Sequence, residues 1–236
     1  VWGIEVNGVR VVDISASDCD ILIDSPTNYE ADSGNNGGNY CTLNPLDHVG
    51  ATFSNGNLDV SLSSGNHIAC GTIGMPYAPG KYYWEVTVTS SGSTVPVMIG
   101  MANVARELSD RMFQEEGWYY YGSNGYKYHS GSGSSFGASY GQGDVIGVAV
   151  DCGFGTQSIT FYKNGVSQGS PYGYSHYNWY NTTVVPVINN PNSGQTVSVS
   201  CNFGQRPFAY TAPSGYKALC TTNLPDPTIA DGSTAM

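Results

Sequence analysis

Apolar and polar residues alternate along most of the chain, or gather in short apolar blocks of strand length, and a helical period of three to four residues is nearly absent. In KYYWEVTVT (81–89), Tyr82, Trp84, Val86 and Val88 fall on one face and Tyr83, Glu85, Thr87 and Thr89 on the other, because successive side chains of a strand point to opposite sides. VPVMIGMA (95–102), DVIGVAVD (144–151), TTVVPVINN (182–190) and TVSVSCNFG (196–204) are further apolar runs bounded by Gly, Asn or Pro. Between the runs lie tight-turn signals. Five Asn-Gly pairs occur, and three of them, in GIEVNGVRVV (3–12), ATFSNGNLDVSL (51–62) and ITFYKNGVSQG (159–169), are flanked by strand-type residues. Asn-Gly readily takes the positive φ that a two-residue hairpin turn requires, so these three predict hairpins. About ten to twelve strands at such spacing predict an all-β fold, a concanavalin-like jelly-roll β-sandwich of two antiparallel sheets with irregular flanking segments. One short helix is predicted, in NVARELSD (103–110).

The pattern also divides the chain. Residues 1–44 read as a hairpin, the end of a preceding domain, followed by a connector rich in Asp, Asn and Gly that begins to pair with the sandwich near Tyr40. Residues 45–220 carry the sandwich pattern. Residues 221–236 hold Pro225 and Pro227, which disfavour helix and central strand alike, and read as a linker toward a further domain. With no initiator Met at one end and no closing signature at the other, the chain reads as a piece of a longer polypeptide.

Composition narrows the partners. Eighteen acidic residues against eight Lys and Arg give a formal charge of −10, with the basic residues scattered. Nucleic-acid binding needs clustered cations to neutralise phosphates, so no nucleic acid is expected. Anionic lipid would repel the chain, and no apolar run approaches the ~20 residues of a membrane span, so no membrane insertion is expected. The six cysteines are widely spaced without a CxxC pair and read mostly as buried free thiols.

Candidate chemistry is sparse. Glu115 and Glu116, with Asp110 nearby, are the only local carboxylate group to weigh as a glycosidase acid/base pair. Neighbours on a strand point apart and on a loop their spacing is uncontrolled, so they read as solvated charges. His48, His67, His129 and His176 lack HxH or HExxH spacing, and Asp18, Asp20, Asp24 and Asp32 lack the regular calcium-loop pattern. GSGSSFG (131–137) precedes a strand rather than a helix and reads as a loop, not a phosphate cradle. No catalytic residue, metal or cofactor is expected.

Aromatic residues cluster twice. Trp118, Tyr119, Tyr120, Tyr121, Tyr126 and Tyr128 form one group; Tyr172, Tyr174, Tyr177, Trp179 and Tyr180, with His176 among them, form the other. Tyr and Trp give large contact area at low entropic cost. Residues 171–183 are therefore the expected recognition loop, with Tyr172, Tyr174, His176, Tyr177 and Trp179, helped by Tyr119 and Tyr121, as the candidate ligand contacts.

These blocks carry a family resemblance. GKYYWEVTV (80–88), PVMIGMAN (96–103), GDVIGVAVD (143–151), ITFYKNGV (159–166), VVPVI (184–188) and CNFGQRPFAY (201–210) occur in the order and spacing of a SPRY domain, and GWYYYGSNGYKYHSG (117–131) resembles the family's aromatic segment. The resemblance implies a bent two-sheet sandwich that binds proteins or peptides through loops at one end, without catalytic residues or cofactor. It also implies that much of the first aromatic group, Trp118 and His129 above all, belongs to the core. A narrower resemblance, in DSPTNY (24–29), GNYCTLNPLD (38–47), ATFSNGNLDV (51–60) and the stretch 203–236, is to SPRY-containing modules of bacteriophage virion proteins. It implies a tail-fibre or receptor-binding module on the virion surface, built as a homo-oligomer with a trimer favoured. Its partners would be other virion proteins and a host-surface glycan or protein. The alternatives are a capsid decoration or spacer domain, a polysaccharide-degrading enzyme and an intracellular SPRY adaptor, against which the flanking segments argue.

Overall fold

The structure, a computed structural model, describes residues 4–6, 9–11, 38–105, 107, 117–173, 182–191 and 194–226. Strands β1 (Ile4–Val6) and β2 (Val9–Val11) pair as an antiparallel hairpin, with Val6 opposite Val9. The remaining strands form two sheets.

The first sheet has seven strands. From one edge they are β11 (Ser132–Ser135), β10 (Tyr126–His129), β9 (Gly117–Tyr121), β8 (Met98–Asn103), β15 (Val184–Pro191), β6 (Asn66–Gly71) and β3 (Leu43–Val49). The second runs β14 (Val166–Gly173), β13 (Ser158–Lys163), β12 (Val145–Asp151), β7 (Lys81–Val88), β16 (Val197–Asn202), β5 (Asp59–Leu62) and β4 (Ala51–Ser54). The short β17 (Lys217–Ala218) joins it by pairing parallel to β7, with Lys217 beside Tyr82; every other pairing is antiparallel. The chain is an all-β sandwich of two sheets, as the alternation predicts.

Alternation decides which residues fill the interior. Trp84, Val86 and Val88 of β7, Ile146, Val148 and Val150 of β12, and Ile99 and Met101 of β8 all belong to one buried cluster between the sheets. Residues of opposite parity on the first sheet, Met98, Ala102, Tyr119, Val185 and Val187 with Ile68 and Cys70, form a second, smaller buried cluster on its other face. Asn189 is also fully buried, and neither side-chain polar atom has a hydrogen-bond partner.

The turns follow their residues, with one adjustment. Asn164 and Gly165 take φ of 49° and 76° between the paired Lys163 and Val166, a two-residue hairpin turn. At Asn55-Gly56 the hairpin is present but its connection is longer, because Ser54 pairs with Asp59 and Asn57 also takes a positive φ of 63°. The predicted helix is not formed where it is described: Asn103 ends β8, and Val104 and Ala105 make a turn whose backbone is held by the Asn103 carboxamide at 3.0 Å. Its remaining residues, apart from Glu107, lie outside the described residues. The five described cysteines, Cys41, Cys70, Cys152, Cys201 and Cys220, are buried, and Cys41, Cys152, Cys201 and Cys220 are free thiols; Cys19 lies outside the described residues. Tyr40 bridges Cys220 in an antiparallel pair.

Candidate recognition surface

Strand direction brings three connections to one end of the sandwich. These are the stretch from β6 to β7 (72–80), the stretch from β12 to β13 (152–157), and Thr182 and Thr183 before β15. Backbone bonds tie them together. Met75 and Val184 exchange N–H···O contacts of 2.7 and 3.0 Å, and Cys152 N–H donates to the Gly80 carbonyl at 2.8 Å. Asp151, only 6 % exposed, holds the next turn: one carboxylate oxygen accepts from Gly153 N–H at 2.9 Å and from the Thr156 hydroxyl at 3.2 Å, while the other pairs with Lys81 at 3.3 Å. Loops fixed in this way hold their side chains in place before a partner arrives.

Two aromatic residues stand on these loops. Tyr77 and Phe154 meet edge to face with ring centroids 4.8 Å apart, and Phe154 is 60 % exposed. Behind them lies a notch lined by Met75, Pro76, Tyr77, Cys152, Gln157, Thr182 and Val184. Gln157 is buried, and its Oε1 has no hydrogen-bond partner among the described residues. The Thr182 hydroxyl donates to Asn103 Oδ1 at 2.7 Å, fixing the other wall. The notch is narrow and offers chiefly apolar contact. It is not a nucleophilic centre: burial, reinforced by the Asp151 charge, pushes the Cys152 thiol up to about 12, so its thiolate is scarce near neutrality.

The expected contacts are placed differently. Tyr119 and Tyr172 are strand residues, each 1 % exposed, which corrects their reading as loop aromatics. Tyr119 packs in the second buried cluster, and the Tyr172 hydroxyl donates to the Tyr119 carbonyl at 3.4 Å while Lys127 lies 5.5 Å above its ring. Both were drawn inward by the same alternation that buries their neighbours. Tyr121 is half-buried, its ring edge-on to Tyr128 at 5.5 Å. Tyr174, His176, Tyr177 and Trp179 lie outside the described residues. Trp118 and His129 stack with centroids 5.1 Å apart and planes 11° from parallel, and Trp118 is buried.

Tyr77 and Phe154 were missed. The available signal was local: each is a lone aromatic in a turn, Tyr77 after Pro76 and Phe154 between Gly153 and Gly155. The described histidines do not converge. His48 lies edge-on to Phe53, His67 contacts Ser63 at 3.0 Å, and His129 accompanies Trp118. Among the described residues no group of three or more His, Cys, Asp or Glu could hold a metal ion. Asp110, Glu115, Glu116 and His176 lie outside them.

The chain is 31 % identical over 142 residues to the Ran-binding proteins 9/10 homolog of Drosophila melanogaster, covering 58 % of this chain and 13 % of that protein. It is 30 % identical over 139 residues to Ran-binding protein 9 of Homo sapiens, covering 58 % and 18 %. Thus the matched stretch is a small part of these relatives. Among solved structures, the SPRY domain of human HERC1 superposes with a TM-score of 0.58 at 18 % identity, over 70 % of this chain and 99 % of that one. The TRIM65 PSpry domain gives 0.51 at 16 % identity, over 70 % and 92 %.

The relatives overturn the expected bacteriophage origin, because they are animal Ran-binding proteins rather than virion components. With it fall the tail-fibre and receptor-binding role and the capsid decoration alternative. The virion and host-surface partners, the trimer and the location on a particle fall with them. The segments behind that narrower resemblance reach well outside the sandwich strands, whereas the wider one rests on those strands. A model of the SPRY domain family matches residues 81–206, from the first residue of β7 to just past β16 and more than half of the chain, and the chain belongs to that family.

Proposed function

We propose that this chain is a non-catalytic protein-recognition module that holds a segment of a partner protein against the Tyr77–Phe154 end of the sandwich. The observation that carries the reading is Phe154, a large aromatic side chain 60 % exposed on a loop whose backbone is fixed by Asp151 and Gly80. Exposed, preorganised aromatics beside an apolar notch are the usual anchors of protein interfaces. SPRY domains and the Ran-binding relatives are generally non-catalytic interaction modules, which supports the same reading. Ran is named as a partner of those relatives, and because this chain spans only 13 to 18 % of the two compared, Ran is one partner to test for it.

The test is selection of displayed, proteome-derived peptides on the intact chain, with Ran assayed in parallel. Selected binders should lose about tenfold or more in affinity on Phe154→Ala, the scale of a modest interface hot spot. Binding that is indifferent to both Phe154→Ala and Tyr77→Ala, or no binding at all, would reject this surface.

A further inference from the structure

Three of the five Asn-Gly pairs lie within the described residues: Asn55-Gly56, Asn124-Gly125 and Asn164-Gly165. Asn7-Gly8 and Asn36-Gly37 lie outside them. The dipeptide that suits a tight turn also carries a reactive geometry. The main-chain nitrogen of the glycine can attack the Asn side-chain carbon, and glycine has no side chain to hinder the approach. A bond forms between that nitrogen and Cγ, the amide proton passes to solvent, and the carboxamide nitrogen leaves as ammonia. Water then opens the cyclic imide at either carbonyl, giving aspartate or isoaspartate. The attack needs a carboxamide free to turn, a glycine N–H not held by an acceptor, and room for the turn to deform.

Two of the three pairs are held. At Asn164-Gly165 the carboxamide is fixed through both of its polar atoms: Nδ2 donates to Asp144 Oδ1 at 2.7 Å, and Oδ1 accepts from Val145 N–H at 2.8 Å. The turn has only two residues between the paired Lys163 and Val166, and the Tyr210 ring stands against Gly165. At Asn124-Gly125 the attacking nitrogen is itself engaged, because Gly125 N–H donates to the Tyr121 carbonyl at 2.9 Å. Gly125 is buried, and the Gly137 carbonyl lies where a side chain on it would begin. The Asn124 Oδ1 accepts from Tyr126 N–H at 3.0 Å.

Asn55-Gly56 has none of these restraints. Both residues are exposed, and among the described residues neither the Asn55 carboxamide nor Gly56 N–H makes a hydrogen bond. Apart from its chain neighbours, no atom lies within 4 Å of where a Gly56 side chain would begin. Four residues rather than two join Ser54 to its partner Asp59, and the bond that closes this turn, from Leu58 N–H to the Asn55 carbonyl, is 3.2 Å long. We infer that Asn55 is a site of spontaneous deamidation in the folded chain, whereas Asn124 and Asn164 are protected by their hydrogen bonds. The product carries a carboxylate in place of a neutral carboxamide. As isoaspartate it also adds a methylene to the main chain at the β4–β5 corner. That corner is a joint between the two sheets, since the Asn57 carbonyl accepts from Leu43 N–H of β3 at 2.9 Å.

The test is a timed incubation of the intact chain in mildly alkaline buffer, followed by peptide mapping with mass spectrometry, with isoaspartate scored by enzymatic carboxyl methylation. The peptide holding Asn55 should convert at least about tenfold faster than those holding Asn124 and Asn164, which react only from locally opened states that have first broken two hydrogen bonds. In denaturant that difference should fall away, because the three pairs share the same reacting dipeptide and no fold then separates them. Asn55→Gln should abolish the fast conversion, since the longer side chain must close a larger ring, and should leave the other two peptides unchanged. Equal native rates, faster conversion at Asn124 or Asn164, the same order persisting in denaturant, or no conversion at Asn55 would each overturn the inference.

Discussion

Tyr83 and Glu85, two residues apart on β7, project to the same face, and the phenol donates to the carboxylate at 3.0 Å. Among the described residues no cation forms an ion pair with the Glu85 carboxylate. It is satisfied instead by this hydroxyl and by the backbone N–H groups of Ala209 and Tyr210. A residue in the middle of a central strand thus fixes a loop far along the chain.

Glu85→Ala would strip the acceptor from both backbone donors at once. An unpaired buried polar group costs about 1–3 kcal/mol, so a loss of about 2–4 kcal/mol is expected in chemical denaturation. Glu85→Gln keeps the shape and one acceptor oxygen and should lose about half as much. Limited proteolysis should cut the 203–216 loop of the Ala variant first. Two variants as stable as the parent would show that the loop is held some other way.

Acid should weaken the β13–β14 corner. Burial raises the Asp144 carboxyl, but hydrogen bonds from Gly141 N–H, Asn164 and Lys163, and the Lys163 charge, outweigh it and hold the group below the usual carboxylate range. A depressed carboxyl stabilises the fold above its unfolded value, and the contribution fades as pH falls through the folded one. The melting-temperature gap between the parent and Asp144→Asn should therefore be largest near neutrality and close as the solution is acidified. A gap independent of pH would contradict this.

The cysteines should be silent in the native state. Burial drives Cys41 up to about 11 and Cys152 up to about 12, and Cys201 and Cys220 are raised as well. Only the thiolate reacts. A thiol reagent at about pH 8, below the reference thiol value, should leave Cys41, Cys70, Cys152, Cys201 and Cys220 unmodified by mass spectrometry until denaturant is added. Raised thiol values also mean that this stabilisation is lost as pH climbs past the ordinary thiol range. Prompt native labelling of any of the five would show that the interior opens.

The sandwich was legible because strand burial obeys a period of two: KYYWEVTV alone assigns Trp84 inward and Glu85 outward. The same rule undid part of the site reading. Tyr119 and Tyr172 were grouped with loop aromatics because clustered rings read alike wherever they stand, yet each takes the parity that buries it. Phe154 was overlooked for the opposite reason. A single ring between two glycines has no periodic neighbours, and its exposure depends on Asp151 and Gly80 gathering the turn around it. Nothing local in FGQRPFAY shows that Ala209 and Tyr210 would meet Glu85, since that pairing joins residues 124 and 125 positions apart.

The two ends of the sandwich touch. Cys41 N–H donates to the Leu219 carbonyl at 3.0 Å and Thr221 N–H to the Asn39 carbonyl at 2.9 Å, so the strands begin and finish side by side. A fold closed in this manner can be spliced into a surface turn of a host protein without prying that turn apart, since donor and acceptor ends need span only a strand's width. It would travel as a detachable cassette, and bridging residues 39 and 221 while opening a hairpin corner should leave its two layers intact.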